Sequence, residues 1–241
     1  MKIIISPSKT QNFNFDNQGK SELKLKKETK LLFSKLKSLS KEELSYSLKI
    51  KKKLLDETYS LYQLEHKVKP VSKAIDSYSG VVFEQLSLSD YNSSQINYLN
   101  NHLNILSAIY GTLSPEDLIY PYRLDMTNKI SDINLYNFWQ EDIDKHFSQE
   151  DVIINLASNE FSRMLKNHSE KIINIDFFEK DKDGKLKIIS YNAKKARGQM
   201  LDFLIRNKIE NIELIKQYSL NGYKYSENLS KGENLVFVKG K

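Results

Sequence analysis

The chain has 241 residues, 39% of them hydrophobic and 28% charged, with 8 Gly, 4 Pro and no Cys. Such a composition predicts a soluble globular protein with a real core and excludes a disordered or fibrous chain. The lack of Cys excludes disulfides, thiolate nucleophiles, iron–sulfur ligation and thiol-based peroxide sensing. The net charge of +6 is segregated: residues 1–75 carry +9, residues 76–150 carry −8 and residues 151–241 carry +5. A basic–acidic–basic layout favours a polyanionic partner. Yet 33 of the 37 basic residues are Lys, and a solvated surface explains the same numbers. No apolar run approaches the roughly 18 residues of a membrane span. The opening Met-Lys-Ile-Ile-Ile-Ser-Pro is too short an apolar stretch for a signal peptide, so a cytoplasmic protein without membrane contact is expected.

In chain order, Lys2–Ile5 reads as a buried strand ending at Ser6-Pro7. Residues 21–38 and 40–62 read as two helices, the second opened by a capping box of Ser40 and Glu43. Ile96, Leu99, Leu103, Leu106 and Tyr110 recur at helical spacing and predict a helix closed by Gly111. Ser114-Pro115-Glu116-Asp117 predicts the start of a short helix. Val152–Asn155 is a compact apolar strand, and Ser158 is placed to cap the helix after it. Lys171–Phe178 and Lys185–Tyr191 are strands joined by the turn Asp181-Lys182-Asp183-Gly184. A helix from about Lys194 to Arg206 and strands at Gly222–Tyr225 and Asn234–Val238 complete the chain. Without repeats, low-complexity tracts or linkers, residues 1–241 read as one α+β domain: a mixed β-sheet flanked by helices.

Three junctions after strands are rich in groups that hold anions: Ser6-Pro7-Ser8-Lys9-Thr10, Asn155 to Glu160, and Tyr191 to Gly198. Free N–H groups, hydroxyls and ammonium groups suit phosphate; the plainer alternative is that Ser8 and Ser158 cap helices and the Lys are solvated. If the three strand ends lie on one edge of a sheet, they converge on one crevice. Leu103 to Gly111 resembles a helix–hairpin–helix element, whose backbone amides face a DNA phosphate. Ala108 stands where that motif wants Gly, and an ordinary turn between helices is the alternative. His66, His102, His146 and His168 are too dispersed for zinc or di-iron helices. Glu179 to Gly184 imitates half a calcium loop, but Ser190 stands where the bidentate Glu belongs. Neither a metal nor any other cofactor is therefore expected.

Several segments together resemble the YaaA-like peroxide stress family. They are Ile5-Ser6-Pro7-Ser8-Lys9-Thr10, Leu106 to Gly111, Tyr120-Pro121-Tyr122-Arg123-Leu124-Asp125-Met126 and Tyr136-Asn137-Phe138-Trp139. Val152 to Ser158, and Lys187-Ile188-Ile189-Ser190 running into Ala193 to Gly198, complete the set in the family's order. The resemblance implies a cytosolic protein of the hydrogen peroxide response, linked to lower free iron and less oxidative DNA damage. It further implies DNA binding by a helix–hairpin–helix element within an unusual α+β fold. Carried over, it makes Lys9, Arg123, Lys194, Lys195 and Arg197 the basic groups of a cleft, with Ser6, Ser8 and Ser158 beside them. Ser107, Tyr110 and Gly111 become the hairpin's phosphate contact. Arg123 has a structural alternative, pairing with Asp117 or Asp125.

The first expectation is a DNA-binding protective protein that contacts backbone phosphates. The second is an enzyme on a phosphorylated or nucleotide-like small molecule, with Glu160 or Tyr122 as proton carrier and Lys9 or Arg123 stabilising charge. Direct iron sequestration is a third, without a ligand cluster to support it. A deep pocket with a carboxylate beside Lys9 favours the enzyme; a long open basic groove favours DNA. No oligomeric state is specified.

Overall fold

Ile3, Ile4 and Ile5 are all fully buried, which requires a strand covered on both faces. They belong to β1 (Lys2–Ile5), in a computed structural model that describes residues 1–13 and 23–240. The chain continues through β2 (Thr10–Gln11), α1 (Lys27–Ser38), α2 (Lys41–Leu48) and α3 (Lys52–Gln63). Then come β3 (Ser72–Lys73), α4 (Ala74–Ser77), β4 (Tyr78–Ser79), α5 (Ser93–His102), β5 (Leu103–Ser107), β6 (Gly111–Leu113) and β7 (Leu118–Ile119). The remainder is α6 (Leu135–Phe147), β8 (Ile153–Asn155), α7 (Asn159–Ser162), β9 (Ile172–Lys180), β10 (Leu186–Lys187), α8 (Ser190–Asn207), α9 (Ile212–Ile215), β11 (Tyr223–Tyr225) and β12 (Asn234–Lys239).

The main sheet has the order β11-β12-β9-β8-β1-β5-β6, with β10 paired to β9. Strands β12, β9, β8, β1 and β5 are parallel, while β6, β10 and β11 run antiparallel at the margins. This is a mixed, mainly parallel sheet flanked by helices, as expected. From β1 the chain first adds β5 on one side and later β8, β9 and β12 on the other. Helices α5 and α8 pack together and reach β1 and β9, whereas α6 packs on β6 and on the 3-10 turns of Arg163–Lys171. One apolar cluster runs from Ile3 through Trp139 to Phe237.

The capping box at Ser40 and Glu43 forms as read, and Gly184 closes the hairpin turn with φ of 77°. There the Asp181 carboxylate accepts the N–H groups of Asp183 and Lys185 at 2.9 Å. The region 40–62 is two helices, because Lys49 takes a left-handed conformation with φ of 56°. Within 21–38 the helix begins at Lys27, and residues 21 and 22 lie outside the described residues. Ser114 to Asp117 is a turn, with the Asp117 carboxylate accepting the Ser114 N–H at 2.7 Å. The strand expected over 185–191 shortens to β10, and α8 starts at Ser190 instead of Lys194.

The largest correction concerns residues 103–111. The helix ends at His102, and Leu103–Ser107 is a strand whose five side chains are all buried. It pairs antiparallel with β6 through Ile105–Leu113, Leu106–Thr112 and Ser107–Gly111. A helical face buries only part of its circumference, so five consecutive buried residues require a central strand. Ala108-Ile109-Tyr110 is therefore a β-turn between strands, and no helix–hairpin–helix forms here. Gly111, with φ of 74°, starts a strand rather than stopping a helix, and a Cβ there would lie 2.8 Å from the Trp139 ring.

Candidate functional site

The strand order reverses direction at β1, and crevices in open parallel sheets form at the carboxyl ends of strands where this happens. Ile4 pairs with Asn155, and Asn155 with Asn174. Two residues further along each strand, Ser6 and Ala157 lie just past the ends of β1 and β8, level with Asp176 inside β9. A pocket of about 360 Å³ opens there, lined by Ser6 to Gln11, Gly80 to Phe83, Tyr122 to Asp125, Leu156, Ser158, Glu160, Phe161, Lys194 and Arg197. The three junctions singled out in the sequence thus meet in one cleft.

The first two junctions are stitched together by their serines. Ser158 donates its N–H to the Ser6 hydroxyl at 2.9 Å, and the two hydroxyls are 3.1 Å apart. Ser158 precedes α7 but its side chain caps nothing in that helix. Ser8 donates to the Ser79 carbonyl and accepts from the Thr10 N–H, and neighbouring Gly80 leaves it room: a Cβ there would lie 2.7 Å from the Ser8 hydroxyl oxygen. The third junction is seated by Gly198, where a Cβ would come within 2.3 Å of the Val82 carbonyl oxygen. Only Gly lets α8 approach the 80–86 segment this closely. That approach brings Lys194 and Arg197 to the cleft.

The charges sort by depth. Lys9, 65% exposed at the rim, is 2.5 Å from the Asp125 carboxylate. Asp125 is in turn fixed by its own N–H, which donates to the Asn128 side chain at 2.7 Å. Arg197 lies deeper, and its Nε is buried without a hydrogen-bond partner. Burial lowers the pKa of this guanidinium, and the nearby Asp176 carboxylate opposes that shift. Burial likewise raises the Asp176 pKa, with Arg197 opposing. Arg123 is half-buried and makes no ion pair among the described residues; its backbone is gripped by the Tyr62 hydroxyl, which donates to its carbonyl at 2.7 Å and accepts its N–H at 3.0 Å. Asp117 and Asp125 are engaged elsewhere, so neither structural pairing expected for Arg123 forms.

Below the cleft, the Tyr122 hydroxyl is 2.7 Å from that of Tyr78 and 2.8 Å from that of Ser107. Burial pushes the Tyr122 pKa up to about 12, so this phenol keeps its proton at neutral pH. Glu160 is half-buried and holds Thr127 only at 3.4–3.5 Å, which leaves its carboxylate free to turn toward a ligand.

Four expected site residues do not line the cleft. Ser107 is fully buried and committed to Tyr122. Tyr110 is buried, its hydroxyl accepting the Tyr120 N–H at 2.8 Å and donating to the Tyr120 carbonyl at 3.1 Å. Gly111 packs on Trp139, whose indole N–H donates to the Ala108 carbonyl at 2.9 Å. A hairpin sealed in this way presents no amides to a phosphate. Lys195 is exposed on α8 and stands outside the lining, and Lys194 is the fifth residue of that helix rather than its start.

A family model described as peroxide stress protein YaaA matches residues 1–229. The chain belongs to this family. It is 40% identical to a UPF0246 protein of Fusobacterium nucleatum, with 99% of each chain covered. A UPF0246 protein of Finegoldia magna is 39% identical, covering 99% of this chain and 98% of the relative. One from Rickettsia felis is 36% identical, covering 99% and 100%. In this YaaA family chain, the Gly80–Phe83 segment lines the cleft, Gly198 seats α8 against that segment and Asp176 lies near Arg197, with little in the sequence to announce them. The visible signal was limited to Gly198 within the quoted Ala-Lys-Lys-Ala-Arg-Gly run. Among the described residues no group of three or more His, Asp or Glu is placed to hold a metal, and no helix is long and apolar enough to cross a membrane.

Proposed function

We propose that this YaaA family protein binds a phosphorylated or nucleotide-like small molecule in the sheet-edge cleft and acts on it as an enzyme. The observation that carries the reading is the buried, unpartnered Nε of Arg197 inside a cleft whose rim bears the Lys9–Asp125 pair. A buried donor without an acceptor is costly, and a phosphate oxygen would satisfy it with a charge-assisted bond. The volume of about 360 Å³ falls in the range of small-molecule sites, not of a duplex groove. In this reading Arg197 and Lys194 hold the phosphate, and the Ser6 and Ser158 hydroxyls orient it. Lys9 and Arg123 stabilise developing charge, and Glu160 carries the proton because Tyr122 stays protonated.

The test is thermal denaturation of the purified protein against inorganic phosphate and nucleoside mono-, di- and triphosphates. At ligand concentrations of about 100 times Kd, a bound ligand adds about 2.7 kcal/mol of stability. Arg197→Met should abolish the gain, and a parent protein unmoved by every member of the panel would reject the reading.

A second reading is DNA binding that limits oxidative, iron-dependent damage, in keeping with the peroxide stress family. It is favoured by the exposure of Lys194 and Lys195 beside the cleft mouth and of Lys185 and Lys187 before them. Contacts of this kind would be electrostatic and indifferent to sequence. Duplex, single-stranded and branched probes titrated over a salt series test it, and no binding at low salt would exclude it.

A further inference from the structure

We propose that the pocket between α1 and the turn after α3 is a second, separate binding site for a small organic phosphate, with the Lys69 ammonium as its anchoring charge. The pocket encloses about 410 Å³ and shares no lining residue with the sheet-edge cleft. Lys69 is only 1% exposed, yet it has no ion pair among the described residues. Its ammonium instead lies 4.7 Å from the Phe33 ring centroid and 6.0 Å from that of Tyr62. Aromatic faces attract a cation but do not neutralise it, and a buried charge is ordinarily paired.

The surroundings add to the positive field. Lys30 and Lys37 line the same pocket, one helical stripe of α1 apart, with Ser34 between them as a hydroxyl donor. Among the described residues the titratable groups lining the pocket with Lys69 are those two lysines, Tyr62, Glu65 and His66, so lysines outnumber the single carboxylate. The Tyr62 phenol is committed to the Arg123 backbone and leaves only its ring to this pocket. His66 stacks on Tyr120 with centroids 5.0 Å apart and meets the Phe33 edge at 5.4 Å. A phosphate dianion meets the three lysines, and the remaining volume places an apolar or aromatic substituent against Phe33 and His66. Burial, reinforced by the Lys37 charge, lowers the Lys69 pKa to about 8. A bound anion favours the charged form. Binding therefore takes up a proton, and affinity falls as pH rises through that value.

The experiment titrates phenyl phosphate and inorganic phosphate into the full-length protein. It follows the ring resonances of Phe33 and His66, with Phe83 as the reporter of the other cleft. Saturable shifts at Phe33 and His66 are expected, tighter for phenyl phosphate, and at least about fivefold weaker at about pH 9 than at about pH 7. Lys69→Met should lose at least about tenfold in affinity and all of this pH dependence, while Phe83 responds as in the parent. No saturable shift in the parent overturns the proposal, and so does an unchanged affinity in Lys69→Met. Should that variant not fold, Lys30→Gln with Lys37→Gln, both at exposed positions, is read on the same resonances. Weakening supports the site, and an unchanged affinity overturns it. Shifts confined to Phe83 would support the sheet-edge cleft alone.

Discussion

In the sheet-edge cleft the deep and rim cations both have carboxylate company, Arg197 with Asp176 and Lys9 with Asp125. In the pocket beside α1, Lys69 makes no ion pair among the described residues and lies against aromatic rings instead. The difference bears on stability as much as on ligands. A neighbouring carboxylate offsets part of a cation's burial cost even when the site is empty, and removing the cation strands that carboxylate. A cation without a partner is a standing cost that its removal relieves. The cleft is thus organised before any ligand arrives, whereas the second pocket needs an anion to become balanced.

The largest expected effect comes from the backbone that shapes the cleft. Gly198→Ala drives a methyl toward the Val82 carbonyl, and neither helix nor loop backbone gives way easily. Thermal denaturation should register a loss of about 3 kcal/mol, a fall in Tm of roughly 6–12 °C. The cleft should be disturbed by this change and the α1 pocket spared. A variant as stable as the parent would mean that α8 does not sit this closely on the 80–86 segment.

Next in size is a pair of changes with opposite signs. Arg197→Met leaves Asp176 half-buried without its countercharge and should cost about 1–2 kcal/mol, less than for a fully buried pair. Lys69→Met removes an unbalanced charge and should leave stability equal or higher at neutral pH. Urea denaturation of both variants decides this, and losses of equal size would erase the contrast between the two pockets.

A smaller effect concerns the exposed lysines beside the cleft. If DNA binds there, Lys194→Ala with Lys195→Ala should flatten the slope of log affinity against log salt by about two units. Stability should move by no more than about 0.5 kcal/mol, because both side chains are exposed. An unchanged slope in the folded variant would remove this segment from any DNA interface.

The finest test is a pH profile. Because the folded pKa of Lys69 lies near 8, below the ordinary 10.5, the unfolded chain binds more protons between those values. Stability gained from this group therefore rises with pH across that window and is absent below it. Measured by denaturation between about pH 8 and pH 10, the stability of the parent relative to Lys69→Met should rise with pH. Taking the difference between the two cancels the tyrosines that titrate in the same range.

Much of the backbone was legible locally. The Ser40–Glu43 box and the Asp181–Gly184 turn form where their residues dictate, because the interactions that make them span only a few positions, and the apolar run Ile3-Ile4-Ile5 marked a buried strand without naming its partners. The three anion-suited junctions were legible for the same reason, and the parallel pairing of β1 and β8 brings two of them together. Residues 103–111 misled because Leu99, Leu103, Leu106 and Tyr110 repeat at helical spacing, while burial on both faces imposes a strand. The sequence by itself determined the mainly local elements, the charge segregation and which segments carry phosphate-compatible groups. The tertiary structure alone decided that Lys9 meets Asp125, that Arg197 faces Asp176 and that Lys69 is buried among rings. Those partners are brought together by sheet order and helix packing, and no periodicity along one segment encodes a neighbour supplied by another.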